Sequence, residues 1–113
     1  MIYIIDDDEI MADCVATATK RPAQKFTNAI DAMNAIDETP PSLIFLDILL
    51  DGPDGFTFLN ELMSYPDLMQ IPIVIVSSIH FDDHQLKPYH VVKCLDKSTM
   101  LPSDIEELAS EYA

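Results

Sequence analysis

Apolar residues along this chain follow two alternating rhythms. Residues 2–5 (IYII), 43–46 (LIFL) and 73–76 (IVIV) are short runs of β-branched, aliphatic and aromatic side chains, as buried strands require. Residues 23–26 and 91–95 (VVKCL) add two weaker strand candidates. Between the runs the spacing becomes helical. Ile10, Cys14 and Val15 recur at helical intervals over 9–20, with Pro22 as the stop. Ala29, Ile30, Met33 and Ile36 form a second stripe, closed by Pro40 and Pro41. Phe56, Leu59, Leu62 and Met63 form a third, ending near Pro66. Residues 79–90 hold Phe81, Leu86 and Tyr89, but Pro88 interrupts them, so a short or irregular helix is expected there. A last helix is predicted from Ser103, which is spaced from Glu106 as in a capping box, with Ile105, Leu108, Ala109 and Tyr112 facing inward.

Strands separated by helices need crossover connections, which makes the sheet parallel and covers both its faces. The unbroken runs LIFL and IVIV agree, because central parallel strands are buried on both sides. The expected fold class is α/β, a doubly wound five-stranded parallel sheet in the order 2-1-3-4-5. Its 113 residues suit one domain spanning 1–113, large enough for a real core. No repeat, low-complexity segment or linker divides it.

Composition narrows the function. Six Lys and Arg against 20 Asp and Glu give a net charge of −14, which argues against direct nucleic-acid binding, since phosphate contacts need cations. No apolar run reaches membrane-spanning length and no signal peptide opens the chain, so the expected location is the cytoplasm, with no membrane partner. Cys14 and Cys94 form no CxxC pair and sit in apolar stretches; both are expected to be reduced core residues.

The chemistry appears where the strands end. The first is followed by Asp6, Asp7 and Asp8, the third by Asp47, the fourth by Ser77 and Ser78, and the fifth by Asp96 and Lys97. In an open parallel sheet these carboxyl ends share one edge, where ligands bind at the topological switch point. Carboxylates gathered there repel unless a hard divalent cation joins them, and Mg²⁺ suits a site of carboxylates, water and phosphate oxygens. Lys97 can balance a phosphoryl group, Ser77 can donate to it, and Asp47 has the chemistry of a nucleophile forming an aspartyl phosphate.

At IIDDDE (4–9), LIFLD (43–47) followed by DG (54–55), IPIVIVSS (71–78) and DK (96–97), the chain resembles the receiver domain of two-component response regulators, over essentially its whole length. The resemblance implies a flavodoxin-like fold and phosphorylation of Asp47 from the phosphohistidine of a sensor histidine kinase or histidine phosphotransfer protein. It implies Mg²⁺ held by Asp7, Asp47 and the Leu49 carbonyl, with Asp6 acting through water. It also implies that Ser77 gates the active conformation, that Lys97 pairs with the phosphoryl group, and that a downstream protein reads the state. Such a domain assists its own phosphorylation and dephosphorylation but is not an enzyme.

Some positions depart from the family. Cys94 stands where an aromatic residue usually reports phosphorylation, with Tyr89 or Phe81 as possible substitutes. Ser98 replaces the Pro that follows the Lys, so no cis peptide is expected there. Asp51 stands where Pro is usual, with Pro53 displaced by two. The segment before the fifth strand is short. In the family, the positions held here by Leu49 and Ile79 flank the path of the hydrolytic water; both are apolar in this chain, so the resemblance implies slow loss of the phosphoryl group.

Simpler roles suit other residues. Asp8, Asp51 and Asp54 read as loop or helix N-terminal acids, and Glu9 as a partner for a helix dipole. His80, His84 and His90 share no regular helix face that would suit a metal. Two rival functions remain: a pseudo-receiver without a working switch, and a haloacid-dehalogenase-like phosphatase with Asp6 as nucleophile and Asp8 as acid/base. With only Gly52 and Gly55, no glycine-rich phosphate loop is available.

Overall fold

In the computed structural model, which describes residues 1–50, 54–79 and 83–113, strand and helix alternate throughout. The elements are β1 (Ile2–Ile5), α1 (Glu9–Thr19), β2 (Ala23–Phe26), α2 (Ala29–Ile36), β3 (Leu43–Leu46), α3 (Gly55–Met63), β4 (Ile73–Ser77), α4 (Asp83–Leu86), β5 (Val91–Asp96) and α5 (Pro102–Tyr112). All strand pairs are parallel and run in the order 2-1-3-4-5. The expected doubly wound α/β fold is therefore the one observed, with α4 reduced to one turn. The expectations for Asp51, Pro53, His80 and Phe81 lie outside the described residues. Among the described residues no peptide bond is cis, that between Lys97 and Ser98 included.

The period of two along each strand divides the core. Tyr3, Ile5, Ile44, Leu46, Ile73 and Ile75 point to one face and pack under α2 and α3. Ile2, Ile4, Leu43, Phe45, Val74 and Val76 point to the other, under α1 and α5. Burying a side chain of this size stabilises the fold by about 1.5–3 kcal/mol. Strands fully buried on both faces explain why the apolar runs are continuous.

The helices correct several expectations. In α1 the inner residues are Ala12, Val15 and Thr19, whereas Ile10 is 77% exposed and Cys14 is exposed. Small Ala12 lets the helix approach the sheet, and the hydropathy of Ile10 pointed to the wrong face. In α2 the buried positions are Ala29, Ala32 and Ile36, with Ile30 exposed. In α3 they are Gly55, Phe58, Leu59 and Leu62, with Phe56 and Met63 only half-buried. Cys94 is likewise exposed. It pairs with Ile75 and so faces the side that α4, a single turn, covers thinly. Both cysteines are thiols, but neither is a core residue.

Helix starts were partly legible. Asp8 caps α1, its Oδ1 accepting from Ile10 N–H (3.0 Å) and Met11 N–H (3.2 Å), and Glu9 lies in that first turn. Asp54 caps α3 by accepting from Thr57 N–H at 2.9 Å. α5 begins at Pro102, not Ser103. The acid folding back is Asp104, whose Oδ2 accepts the Leu101 N–H at 2.8 Å, while Glu106 pairs with Lys20 on the surface. Pro at the first helical position fits, since its missing N–H is not needed there.

Candidate functional site

The sheet's hydrogen bonds run on past the strands and fix the polar residues that follow. Asp6 N–H donates to Phe26 O at 2.9 Å, continuing the β1–β2 ladder. Asp47 N–H donates to Ile5 O at 2.9 Å, and Lys97 N–H to Ser77 O at 3.0 Å. Backbone order thus reaches the carboxyl edge. Asp6, Asp47 and Ser77 are all buried there.

Lys97 ties the carboxylates together. Its Nζ lies 3.1 Å from Asp6 Oδ2 and 3.1 Å from Asp47 Oδ2. Each acid has its other oxygen on a backbone donor: Asp6 Oδ1 accepts Asp8 N–H at 2.9 Å, and Asp47 Oδ1 accepts Leu49 N–H at 3.0 Å. Half-buried Asp7 completes a trio whose carboxylate oxygens lie within 4.8 Å of one another. Burial pushes the Asp6 carboxyl above the usual carboxylate range, against the opposing pull of the Asp8 N–H and Lys97. Burial alone would pull Lys97 down, but hydrogen bonds to Asp47 and Asp6, and their charges, outweigh it and hold the ammonium above its ordinary value.

Three carboxylates against one ammonium leave two negative charges, which a divalent cation would cancel. All-oxygen donors at this separation suit a hard ion such as Mg²⁺. The residues present fit the metal.

Gly55 explains why DG follows β3. Its N–H donates to Ile48 O at 2.9 Å. A Cβ there would lie 2.7 Å from Ile48 Cα and 3.0 Å from Asp47 O, so only glycine lets α3 start this close to Asp47.

Of the residues singled out in the sequence, Asp6, Asp7, Asp47 and Lys97 come together at one point. Ser77 stands on the neighbouring strand just past the Leu46–Ile75 rung, its Oγ accepting Ile79 N–H at 3.1 Å. Leu49 and Ile79 are both half-exposed. His84 and His90 stay apart from this cluster; a His90 ring nitrogen is 2.7 Å from Gln70 O. The phosphatase alternative gains no support, because Asp8 is occupied in capping α1 and Lys97 spans Asp6 and Asp47. Sequence reasoning missed the Tyr89 hydroxyl bond to Asn60 Oδ1, 2.6 Å long. The two lie 29 residues apart with no local signal joining them.

A doubly wound sheet with an acidic cluster and a lysine at its carboxyl edge defines the flavodoxin-like receiver class. Residues 2–108 match the response regulator receiver domain, and the chain belongs to that family. It is 30% identical to the transcriptional regulatory protein BaeR of Escherichia coli O6:H1 over 104 residues, covering 78% of this chain and 42% of that protein. It is 40% identical to the response regulator Rcp1 of Synechocystis over 63 residues, covering 54% of this chain and 43% of that one. Thus the chain spans less than half the length of these relatives. Among solved structures, the Mn²⁺-bound form of Rcp1 superposes with a TM-score of 0.76 at 25% identity, over 97% of this chain and 88% of that one. The NtrX receiver domain from Brucella abortus gives 0.84 at 23% identity, covering 99% and 97%, and shows the shared fold. Receiver domains are the signalling phosphoacceptors of two-component systems. Among the described residues no helix is long and apolar enough to cross a membrane.

Proposed function

We propose that residues 1–113 form one receiver domain in which Asp47 accepts a phosphoryl group from the phosphohistidine of a sensor histidine kinase or histidine phosphotransfer protein. The observation that carries this reading is the placement of Lys97 Nζ at 3.1 Å from both Asp6 and Asp47. A buried carboxylate paired with an ammonium and flanked by two further acids is the arrangement such a transfer needs.

In the step itself, a carboxylate oxygen of Asp47 attacks phosphorus and forms a P–O bond. The P–N bond to the donor imidazole breaks, and its electron pair returns to the departing nitrogen. The backbone N–H of Leu49 orients the carboxylate by holding Oδ1. Lys97 moves its charge from the bare carboxylates to the incoming phosphoryl oxygens, and Ser77 donates its hydroxyl to one of them.

Asp6, Asp7, Asp47 and the Leu49 carbonyl would hold Mg²⁺, with Asp6 acting through water. When bound, the ion neutralises charge that develops on the phosphoryl oxygens. Rcp1, a relative with a Mn²⁺-bound structure, lends this support. The domain works by changing state rather than by turnover, acts in the cytoplasm, and passes its state to a downstream protein. A pseudo-receiver would not need this quartet intact. Phosphoryl transfer from a labelled phosphohistidine donor to the wild type, and its loss in Asp47→Asn, tests the reading.

A further inference from the structure

α2 and α3 cover the same face of the sheet but leave an opening between them. A surface cavity of about 220 Å³ lies there, walled by Ile30, Met33 and Asn34 of α2 and by Thr57, Phe58 and Glu61 of α3. Phe58 is buried, whereas Ile30 is 55% exposed. On each helix the lining residues recur at intervals of three and four, so each wall is one helix face. A lone exposed isoleucine carries little meaning, but one beside an apolar cavity enlarges it. The core does not need Ile30, because α2 already buries Ala29, Ala32 and Ile36.

The charge around this groove is of one sign. No Lys or Arg occurs between Lys25 and Lys87, a stretch that contains both helices. Asp31, Asp37, Glu38 and Glu61 lie on these helices or just past the end of α2. The cations that bound the stretch are placed elsewhere. Lys25 pairs with Asp13 of α1, and Lys87 lines a separate cavity with Leu86 and Cys94.

These observations select the occupant. Acids without counter-charge repel nucleic acid and anionic lipid. A symmetric pairing of two copies would set the same acids against each other. The cavity is smaller than the roughly 300–1,000 Å³ of ordinary small-molecule sites, yet it can admit a side chain. Helices of 8 and 9 residues make a groove about 12–14 Å long, just over two helical turns. We propose that the α2–α3 groove docks a cationic amphipathic helix of a partner protein. One apolar side chain of that helix enters the cavity, a second, one turn away, packs on Ile30, and flanking Lys or Arg side chains meet Glu61 and the acids around it. The inference does not rest on the chemistry of Asp47.

The test titrates the nitrogen-labelled full chain with a synthetic peptide of Leu, Ala and Lys, about fifteen residues long so that it can hold a helix. Its Leu residues stand four apart on one face; a control of the same composition splits them between opposite faces. Amide shifts should map to α2 and α3, and the control should bind about tenfold more weakly. Ile30→Ser should weaken binding about tenfold, as losing half the burial of a large apolar side chain would. Glu61→Lys should weaken it roughly threefold, as a partly screened charge does. Both side chains are exposed, so neither change opens the core. Equal binding of the two peptides would reduce the effect to bulk charge and overturn the proposal. Shifts that map to the acidic α5 instead, or an affinity unmoved by Ile30→Ser, would overturn it as well.

Discussion

The Lys97 ammonium lies 3.1 Å from Asp47 Oδ2, joining residues 50 apart in sequence at the carboxyl edge of the sheet. Because the same nitrogen is equally close to Asp6, it is the counter-charge that lets two buried acids face each other. Lys97→Met should lower stability at neutral pH by about 1–3 kcal/mol, less than a fully buried pair would lose because Lys97 is partly solvated. Urea denaturation without divalent cations measures it, and an unchanged midpoint would contradict this role.

Divalent cation should act in the opposite direction. An ion that binds the folded acidic trio and not the unfolded chain stabilises it by about 1.4 kcal/mol at ten times its Kd. Thermal unfolding with Mg²⁺ should therefore shift upward. Asp7→Asn removes a donor and should need a higher Mg²⁺ concentration for the same shift. An equal response in both proteins would remove Asp7 from the site.

Gly55→Ala tests the seating of α3. The new methyl group would meet backbone atoms of Ile48 and Asp47, which cannot turn aside as a flexible side chain could. A cost of about 1–3 kcal/mol is expected, as for other overpacked positions. Slower phosphoryl acceptance should accompany it, since Asp47 would be displaced. A variant as stable and as readily phosphorylated as wild type would show that the close approach is not needed.

How long the phosphoryl group survives should depend on Leu49 and Ile79. Both side chains are apolar and about half exposed, and neither can orient an attacking water. Leu49→Asn combined with Ile79→Lys should speed phosphate loss roughly tenfold, well below the full effect of a positioned general base. Decay followed after removal of the donor gives the rate, and no acceleration would sink the idea.

The strands and their order were legible in the sequence because strands buried on both faces leave continuous apolar runs that few other structures tolerate. The acids were legible for the same reason: Asp6 and Asp47 end such runs, so their place on one edge follows from the topology. Helix faces were less so. Ile10 and Ile30 carried the hydropathy, but Ala12 and Ala32 carry the contact, because small residues let helices lie close to the sheet. Cys94 was misplaced because its exposure depends on the thin cover that a one-turn α4 provides. The Tyr89–Asn60 bond joins two elements whose spacing only the folded chain defines.

The most direct measurement exposes the protein to acetyl phosphate and Mg²⁺ and locates the acid-stable, alkali-labile label by mass spectrometry. One phosphoryl group on Asp47 is expected in the wild type, with none in Asp47→Asn. Label that persists in that variant, or that maps to Asp6, would contradict the assignment of Asp47 as the acceptor.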